Sequence, residues 1–329
     1  MTELFDVIIV GGGPAGLAAG LYAARMDLRS VLVDRGPLGG QLHNTELIED
    51  YPGIETILGP ELALKMGDHA RKFGLDAREY EPVTSVDVEG EERVVRLDSG
   101  NELRAPAVIM AAGGLPKKLE VPGETELAGR GVSYCAVCDA AFFRDKQVVV
   151  AGGGDSAMEE AIFLAKFATK VSLVHRRNDF RASQIMVDRA RANEKIEFVT
   201  PTVVEEVIGE NGQTSGVRIR DLDTDEERDL PAQGLFVAIG HDPNTKLFLD
   251  QLDHDHAGYL VTKPGSTATN VEGVFAAGDV VDHTYRQAVT AAGSGAMAAL
   301  DSERWLAARE GHPGTALTAP RPEAAEVEV

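Results

Sequence analysis

Residues 6–16, DVIIVGGGPAG, join a short apolar run to a glycine-rich turn. An Ala- and Leu-rich segment from Leu17 to about Met26 follows, and residues 30–34 (SVLVD) form a second apolar run that ends in a carboxylate. This order predicts a strand, a tight turn, a helix and a second strand. It is typical of a dinucleotide-binding βαβ unit, in which the helix N-terminus offers free N–H groups to phosphates.

The glycines of this first loop have separate roles. Gly11 permits the tight turn, Gly13 lets the backbone approach a pyrophosphate, and Gly16 allows the helix to pack closely on the strand. Asp34 follows Gly16 by 18 positions, near the spacing expected of an acid that accepts hydrogen bonds from ribose hydroxyls. The first loop therefore predicts a site for a dinucleotide with free ribose hydroxyls, either FAD or NAD.

The same pattern returns 141 residues later in the chain. Residues 147–157 (QVVVAGGGDSA) predict a strand and a second glycine loop, followed by a helix from Met158 to about Phe167 and a strand at 171–174. In this copy Gly152, Gly154 and Ala157 take the places of the three loop glycines.

The second copy ends in basic residues, whereas the first copy ends in an acidic residue. Its last strand runs into His175-Arg176-Arg177, with Arg181 close behind. An acid at this point would repel a ribose 2′-phosphate, whereas paired guanidiniums bind it as planar multi-donor cations. The second loop therefore predicts a site for NADP(H).

Further similar segments indicate a duplicated α/β architecture with one domain inserted into the other. Residues 107–113 and 235–240 are apolar runs that close on glycine, and residues 273–279 (GVFAAGD) end in a backbone N–H and a carboxylate suited to a ribityl chain or phosphate. We predict two Rossmann-like three-layer nucleotide-binding domains. The predicted boundaries are 1–116 and 246–311 for the first domain, 117–245 for the inserted one, and 312–329 for a disordered Pro-, Ala- and Glu-rich tail.

Charge and targeting signals exclude several classes of function. The 329-residue chain has 32 basic and 53 acidic residues, a net charge of −21, which disfavours nucleic acid and anionic membrane surfaces as partners. The N-terminus lacks the basic and apolar regions of a signal peptide, and no apolar run is long enough for a transmembrane helix. A cytoplasmic location is the resulting expectation.

The chain has two cysteines, Cys135 and Cys138, which lie in the inserted domain. No second CxxC or nearby His pair completes a zinc site, so we predict a redox pair and no bound metal. Residues 133–139 (SYCAVCD) fit a turn entering a short helix, where a thiolate has a lowered pKa. Asp139 stands beside the pair as a candidate acid–base residue.

These motifs together resemble the low-molecular-weight, bacterial-type thioredoxin reductases, over residues 4 to about 310. The matching motifs are GGGPAG (11–16), GGQL (39–42), YPG (51–53), CAVCD (135–139), GGGDSAMEE (152–160), HRR (175–177), GHDPNT (240–245), AAGDV (276–280) and YRQA (285–288). The resemblance implies a homodimeric flavoprotein that uses FAD and NADPH to reduce the disulfide of thioredoxin.

The loop patterns and the resemblance together give the expected site residues. Those expected to bind FAD are Gly11, Gly12, Gly13, Ala15, Gly16, Asp34, Gly40, Gln41, Gly113, Gly278, Asp279, Arg286, Gln287 and Ala288. Those expected to bind NADPH are Gly152, Gly154, Asp155, Ser156, Ala157, His175, Arg176, Arg177 and Arg181. By resemblance, Cys138 faces the flavin, Cys135 attacks thioredoxin, Asp139 is the acid–base residue, and Phe142 and Phe143 help to dock thioredoxin.

Some positions depart from the family pattern, and other functions stay open. Asp50 stands where the family often has Asn, Ala140 replaces a common Gly, and an extra residue precedes Phe142 relative to some members. Alternatives within the fold are a dithiol oxidase, a ferredoxin–NADP reductase and the flavoprotein subunit of an alkyl hydroperoxide reductase. An alternative outside catalysis is an NADP-binding redox sensor.

The predicted domain order poses a mechanical problem. The cysteines and the NADPH loop belong to the inserted domain, yet both must reach the flavin held by the other domain. We therefore expect the inserted domain to rotate about its two crossings, near 114–118 and 243–246, between two half-reactions.

Overall fold

The structure is a computed structural model that describes residues 1–309. The tail predicted for 312–329 lies outside the described residues. The helices are α1 (Pro14–Arg25), α2 (Gly59–Lys72), α3 (Ala136–Asp139), α4 (Asp155–Leu164), α5 (Gln184–Arg191) and α6 (Ala288–Arg309). The strands are β1 (Thr2–Leu4), β2 (Val7–Val10), β3 (Ser30–Val33), β4 (Leu47–Ile48), β5 (Ile57–Leu58), β6 (Asp76–Arg78), β7 (Val83–Asp87), β8 (Arg93–Leu97), β9 (Glu102–Ala105), β10 (Ala107–Met110), β11 (Gly114–Pro116), β12 (Val132–Ser133), β13 (Gln147–Ala151), β14 (Lys170–Val174), β15 (Ile196–Val199), β16 (Thr202–Glu210), β17 (Gln213–Asp221), β18 (Glu227–Pro231), β19 (Gly234–Val237), β20 (His241–Pro243) and β21 (Val274–Ala276).

The chain divides into two compact units. Unit 1 comprises Met1–Gly40, Ala63–Gly113 and the chain from Pro243 onward, and unit 2 comprises Gln41–Leu62 and Gly114–Asp242. The main segment of unit 2 is thus inserted between two segments of unit 1. The shorter segment groups with unit 2 because it contacts that unit, for example where the Gln41 side chain donates to the Gly114 carbonyl oxygen at 3.2 Å.

Unit 1 is built on a parallel five-stranded sheet in the order β21-β10-β2-β3-β6. Strand β2 is buried on both faces, which explains its unbroken apolar sequence. Val7 and Ile9 pack with the core residues of α1 and α6, whereas Ile8 and Val10 pack with the four-stranded sheet β1-β9-β8-β7. The sheet is therefore the middle of three layers.

Unit 2 repeats this architecture around the parallel sheet β12-β19-β13-β14-β15. Val148 and Val150 on β13 share a core cluster with residues of α3, α4 and α5. Val149 and Ala151 point into a second cluster with the antiparallel sheet β16-β17-β18. The predicted fold class, two Rossmann-like three-layer domains of which one is inserted, is confirmed.

Both loop helices begin three residues earlier than the sequence analysis placed them. Helix α1 starts at Pro14 and α4 starts at Asp155. Proline suits the first turn of a helix, since its missing N–H would have no partner there and its φ is already helical. The N-caps are thus Gly13 and Gly154, the second glycine of the motif in each copy, and the helix follows directly.

The two crossing segments lie next to each other. Strands β11 and β20 pair in a two-stranded sheet, the Lys117 N–H donates to the Gly240 carbonyl at 2.9 Å, and Lys117 forms an ion pair with Asp242 at 3.0 Å. On the unit 1 side, Asn244 donates through its backbone N–H to Gly113 and through its side chain to Ala112. The two crossings are therefore one paired ribbon.

Among residues 1–309, none of the helices combines the length and the apolar character that crossing a membrane requires.

Candidate active site

In the first glycine loop, an added side chain would fit at Gly13 but not at Gly11 or Gly16. Gly11 has φ +110°, and an added Cβ would overlap the Ala111 carbonyl. A Cβ on Gly16 would overlap the carbonyl of Gly11, whereas a Cβ on Gly13 would meet nothing within 4 Å. Gly11 and Gly16 therefore allow neighbouring backbone segments to pack closely. The open space lies at Gly13, where the motif expects a pyrophosphate.

Asp34 accepts backbone hydrogen bonds through both of its carboxylate oxygens, one of them from the glycine loop. Oδ2 accepts from the Gly12 N–H at 2.6 Å, and Oδ1 accepts from the Gly36 N–H at 2.8 Å. An ionised carboxylate oxygen has a further lone pair, so both oxygens keep acceptor capacity for ribose hydroxyls. The residues present fit the adenosine half of a dinucleotide.

The Gly278–Asp279 turn lies beside this loop in unit 1. A Cβ on Gly278, whose φ is +76°, would come within 2.8 Å of the Ala15 Cβ. Burial, and next the nearby Asp282 carboxylate, raise the pKa of Asp279 to about 6, against the opposing effect of Arg286. Asp279 thus follows a residue that packs against the start of α1.

Asp282 has a role that the sequence analysis missed. Its carboxylate accepts hydrogen bonds from the backbone N–H groups of Thr284, Tyr285 and Arg286, at 2.9, 2.7 and 2.9 Å. These bonds hold Arg286 in a left-handed conformation with φ 48°. Asp282 therefore shapes the expected FAD-binding run Arg286, Gln287 and Ala288, which leads into α6.

The remaining residues expected to bind FAD fall in two units. Gly40 lies beside the first loop, since its added Cβ would come within 3.1 Å of the Gly13 Cα, and Gly113 ends its segment of unit 1 with φ +68°. Gln41 groups with unit 2, where its Oε1 accepts from the Asn44 side chain at 2.8 Å.

The second glycine loop in unit 2 leaves the same position open as the first. A Cβ on Gly152 would overlap the Ala238 carbonyl, and a Cβ on Gly154 would meet nothing within 4 Å. Ala157, which replaces the last loop glycine, is fully buried, and the added Cβ on Gly152 would lie 2.8 Å from its Cβ. The open position again coincides with the expected place of a pyrophosphate.

His175 covers the middle of this loop. Its imidazole occupies the space where a Cβ on Gly153 would lie, and it stacks on Phe180 with ring centroids 5.2 Å apart. Burial lowers the pKa of His175, and Arg176 and Arg177 lower it further, against the raising effect of Asp179. The lowered pKa favours the neutral ring, which packs over the loop.

The positive charge of the site comes from Arg176, Arg177 and Arg181, which are exposed. None of the three forms an ion pair within the part of the chain that the structure describes. Arg181 is tied to the glycine loop, because its N–H donates to the Gly153 carbonyl at 2.9 Å. Three exposed guanidiniums without ion pairs among the described residues, in a chain of charge −21, suit the binding of an anion beside the second loop.

Asp155 holds this basic segment in place. Its Oδ1 accepts from both the N–H and the hydroxyl of Ser183, at 2.9 and 2.8 Å, and these bonds lower its pKa. Ser156, the next residue of α4, is exposed. The structure therefore gives Asp155 a role in positioning residues 181–183, which its place in the motif did not indicate.

Cys135 and Cys138 form a disulfide at the start of α3. Cys135 is the N-cap, and its sulfur accepts from the Cys138 N–H at 3.2 Å. Helix α3 packs on α4, with Ala136 and Ala140 in the core cluster of the second nucleotide unit.

Asp139 ends α3 and is partly buried. Burial raises its pKa, the nearby Asp50 carboxylate raises it as well, and a hydrogen bond from the Ser133 side chain opposes them. A carboxyl group with a raised pKa keeps its proton closer to neutral pH, which suits a proton donor. Asp50, which stands where the family often has Asn, thus raises the pKa of the acid beside the cysteines.

The expectation that both phenylalanines dock a partner is wrong for Phe143 in this structure. Phe143 is 7% exposed and packs edge-on against Phe236 with ring centroids 5.1 Å apart. Its ring also fills the space over Gly234, so Phe143 is part of the core of unit 2. Phe142 is partly exposed and stays a candidate for docking.

Comparison with known proteins agrees with this geometry. Residues 5–295 match the family described as pyridine nucleotide-disulphide oxidoreductase. This chain belongs to that family. The chain is 52% identical to a thioredoxin reductase of Mycolicibacterium smegmatis, over 93% of this chain and 97% of that protein. It is 50% identical to a bifunctional thioredoxin reductase/thioredoxin of Mycobacterium leprae, over 94% of this chain and 67% of that protein.

Solved structures in the pyridine nucleotide-disulphide oxidoreductase family are similar as well. The thioredoxin reductase of Streptococcus pyogenes matches with a TM-score of 0.89 and 42% identity, over 93% of this chain and 99% of that one. The resemblance drawn from the sequence motifs is therefore confirmed. Membership of this family implies a flavin and a pyridine nucleotide as cofactors.

We expect Gly153→Ala to destabilise unit 2, because the new Cβ would lie on the His175 ring, which Phe180 holds in place. Overpacking of this kind costs about 1–3 kcal/mol of unfolding free energy, measurable by urea denaturation of the ligand-free protein. Gly154→Ala is the matched control, since its Cβ meets open space. Equal stability of the two variants would contradict the assigned packing.

Proposed function

We propose that this chain is an NADPH-dependent thioredoxin reductase that binds FAD in unit 1 and NADPH in unit 2. One observation carries the proposal: the Cys135–Cys138 disulfide, made by the only two cysteines of the chain, lies on a helix packed against the helix that follows the second glycine loop. A partly buried acid, Asp139, adjoins it. The thioredoxin reductase names of the relatives support the same activity.

The two glycine loops differ in the nucleotide they suit. In unit 1, Asp34 and the open space at Gly13 fit FAD, with Asp279 and the run Arg286–Ala288 on the same unit. In unit 2, the open space at Gly154 and the basic residues beside it fit NADPH. When bound, NADPH and FAD supply the hydride and the electron pair that reduce the disulfide.

The disulfide exchange is assigned to the cysteine pair. The Cys135 thiolate attacks one sulfur of the thioredoxin disulfide, and the other thioredoxin sulfur leaves as a thiolate. The Cys138 thiolate then attacks the Cys135 sulfur, which re-forms the Cys135–Cys138 bond and releases the second thioredoxin thiolate. Asp139 gives its proton to a leaving thiolate and regains one from a thiol.

We also propose that unit 2 rotates between the two half-reactions, about the ribbon formed by β11 and β20. Support comes from the pairing of the two crossings, with Gly113 and Asn244 bonded on one side and Lys117 and Asp242 on the other. Residues that pair in this way confine a movement to one short segment. A homodimer, a cytoplasmic location and docking of thioredoxin through Phe142 complete the proposal.

Cys135→Ser removes the proposed nucleophile and should lower NADPH-dependent thioredoxin reduction by at least about a thousandfold. Bleaching of the flavin by NADPH should persist, since it does not use this thiol. The two readouts are a coupled thioredoxin assay and anaerobic absorbance of the flavin. A variant with full thioredoxin turnover would show that Cys135 is not the nucleophile.

Arg177→Ala removes one charge-assisted contact to the 2′-phosphate, worth about 1.5–3 kcal/mol, and should raise the KM for NADPH roughly 10- to 100-fold. The KM for NADH should stay within about twofold, because NADH lacks that phosphate. Arg189→Ala on α5 is the control, since Arg189 is also exposed in unit 2. If Arg177→Ala raised both KM values equally, the phosphate assignment would be wrong.

A disulfide engineered between the two units should block turnover in proportion to the fraction of molecules that is cross-linked, because one of the two half-reactions becomes unreachable. Steady-state thioredoxin reduction and the cross-linked fraction are measured on the same samples, with each single-cysteine variant as a control. Undiminished activity of a fully cross-linked sample rules out the rotation.

A further inference from the structure

Glu124 is a buried carboxyl group that the proposed mechanism does not use. It lies in unit 2 and is 1% exposed. Burial of a carboxylate is costly unless hydrogen bonds replace its contacts with water. The partners of Glu124 therefore show what the buried group holds in place.

The Glu124 carboxylate binds two separate segments of the chain. Its Oε1 accepts from the Leu119 N–H and from the Tyr134 hydroxyl, both at 3.0 Å. Its Oε2 accepts from the Glu120 N–H at 2.7 Å. Glu120 has φ 61°, a conformation that residues other than glycine adopt only when their surroundings hold them there. The carboxylate thus fixes this turn and the Tyr134 hydroxyl together.

The segment that carries Glu124 is fixed at both of its ends. It begins at the paired ribbon, where the Lys117 N–H donates to the Gly240 carbonyl at 2.9 Å. At the other end the Pro122 carbonyl accepts from the Val207 N–H at 2.9 Å. Gly123 has φ +82°, and an added Cβ there would overlap the Val207 carbonyl. Glu124 therefore offers Tyr134 a fixed point of attachment within unit 2.

Tyr134 extends this attachment to the redox pair, because it directly precedes Cys135. Its ring packs against the core cluster of unit 2 that contains β16 and β17, as do Leu119 and Val121. Burial raises the pKa of Tyr134, and the Glu124 carboxylate raises it further. The hydroxyl therefore keeps its proton and donates it, and the bond holds the residue from which the cysteine turn begins.

We propose that Glu124 and Tyr134 are positioning residues that keep Cys135 within reach of Cys138 when the pair is reduced. The disulfide closes the turn covalently, whereas the dithiol depends on noncovalent contacts to keep its two sulfurs close. Attachment of Tyr134 reduces the freedom of the dithiol and so raises the effective concentration of one thiol at the other. The proposal rests on the proposed function, in which Cys138 attacks the Cys135 sulfur to release thioredoxin.

The equilibrium between disulfide and dithiol separates this role from a merely structural one. A bond that stabilised both forms equally would leave that equilibrium unchanged. Loss of the Tyr134 hydroxyl gives the dithiol form freedom that the disulfide form cannot gain, because the cross-link closes the same turn. The equilibrium constant for disulfide formation should therefore fall about fivefold or more in Tyr134→Phe.

Equilibration with glutathione measures this constant without NADPH or thioredoxin. One glutathione thiolate attacks a sulfur of the Cys135–Cys138 disulfide, and the other cysteine leaves as a thiolate. A second glutathione thiolate attacks the glutathione sulfur of the mixed disulfide, which releases glutathione disulfide and the second cysteine. Both cysteine thiolates take protons from water. The full flavin-containing protein is equilibrated anaerobically at graded glutathione ratios, and alkylation with mass analysis gives the dithiol fraction.

Tyr134→Phe keeps the ring and its packing and removes the hydroxyl. The matched control is Ser215→Ala on β17 of the same unit, which removes a hydroxyl that donates to the Ile208 carbonyl at 3.2 Å. Its equilibrium constant should stay within about twofold of the wild-type value, because a local surface-level change of this size is not coupled to the cysteine turn. Glu124→Gln, which replaces one acceptor oxygen by a donor group, should lower the constant in the same direction as Tyr134→Phe.

An unchanged constant in folded Tyr134→Phe would overturn the proposal, as would equal falls in Tyr134→Phe and Ser215→Ala. If Tyr134→Phe does not fold, a wild-type constant in Glu124→Gln would overturn it instead. A wild-type protein that does not reduce thioredoxin, with the expected fall in Tyr134→Phe, would overturn the proposed substrate and leave the positioning role standing. Thioredoxin reduction with an unchanged constant would overturn the positioning role alone.

Discussion

Unit 1 depends on the close approach of three chain segments to Ala15 and Gly16, at the start of α1. A Cβ on Gly16 would overlap the Gly11 carbonyl, one on Gly295 of α6 would overlap the Ala15 carbonyl, and one on Gly278 would come within 2.8 Å of the Ala15 Cβ. Without side chains at these positions, α1, α6 and the Gly278 turn share one small volume. The N-terminus of α1, the Gly278 turn and the open space at Gly13 are adjacent for this reason.

The parts of the site that were predictable from the sequence are those whose cause is local. The conformation of a glycine loop between a strand and a helix is set by residues within the loop, and the same holds for the CxxC turn. Phe143 was mispredicted because its environment depends on Phe236 and Gly234, about 90 positions away in sequence. No local pattern indicates whether such an aromatic ring faces solvent or a core.

The positioning groups were missed for a related reason. Asp282 and Asp155 act through backbone N–H groups and hydroxyls that only the folded path of a loop brings to them. The sequence shows an acid near a motif, and the geometry shows that the acid holds the motif in shape. Many arginines elsewhere, such as Arg78 and Arg218, are held in ion pairs, whereas the exposed arginines beside the second loop have none among the described residues.

The paired ribbon of β11 and β20 also bears on how such a chain could arise. A domain whose entry and exit strands lie side by side can be placed into a loop of another domain without opening either core. The constant 141-residue offset between the two glycine loops marks the inserted unit as a copy of its host. The two copies differ at the end of their second strand, where one has an acid and the other has arginines.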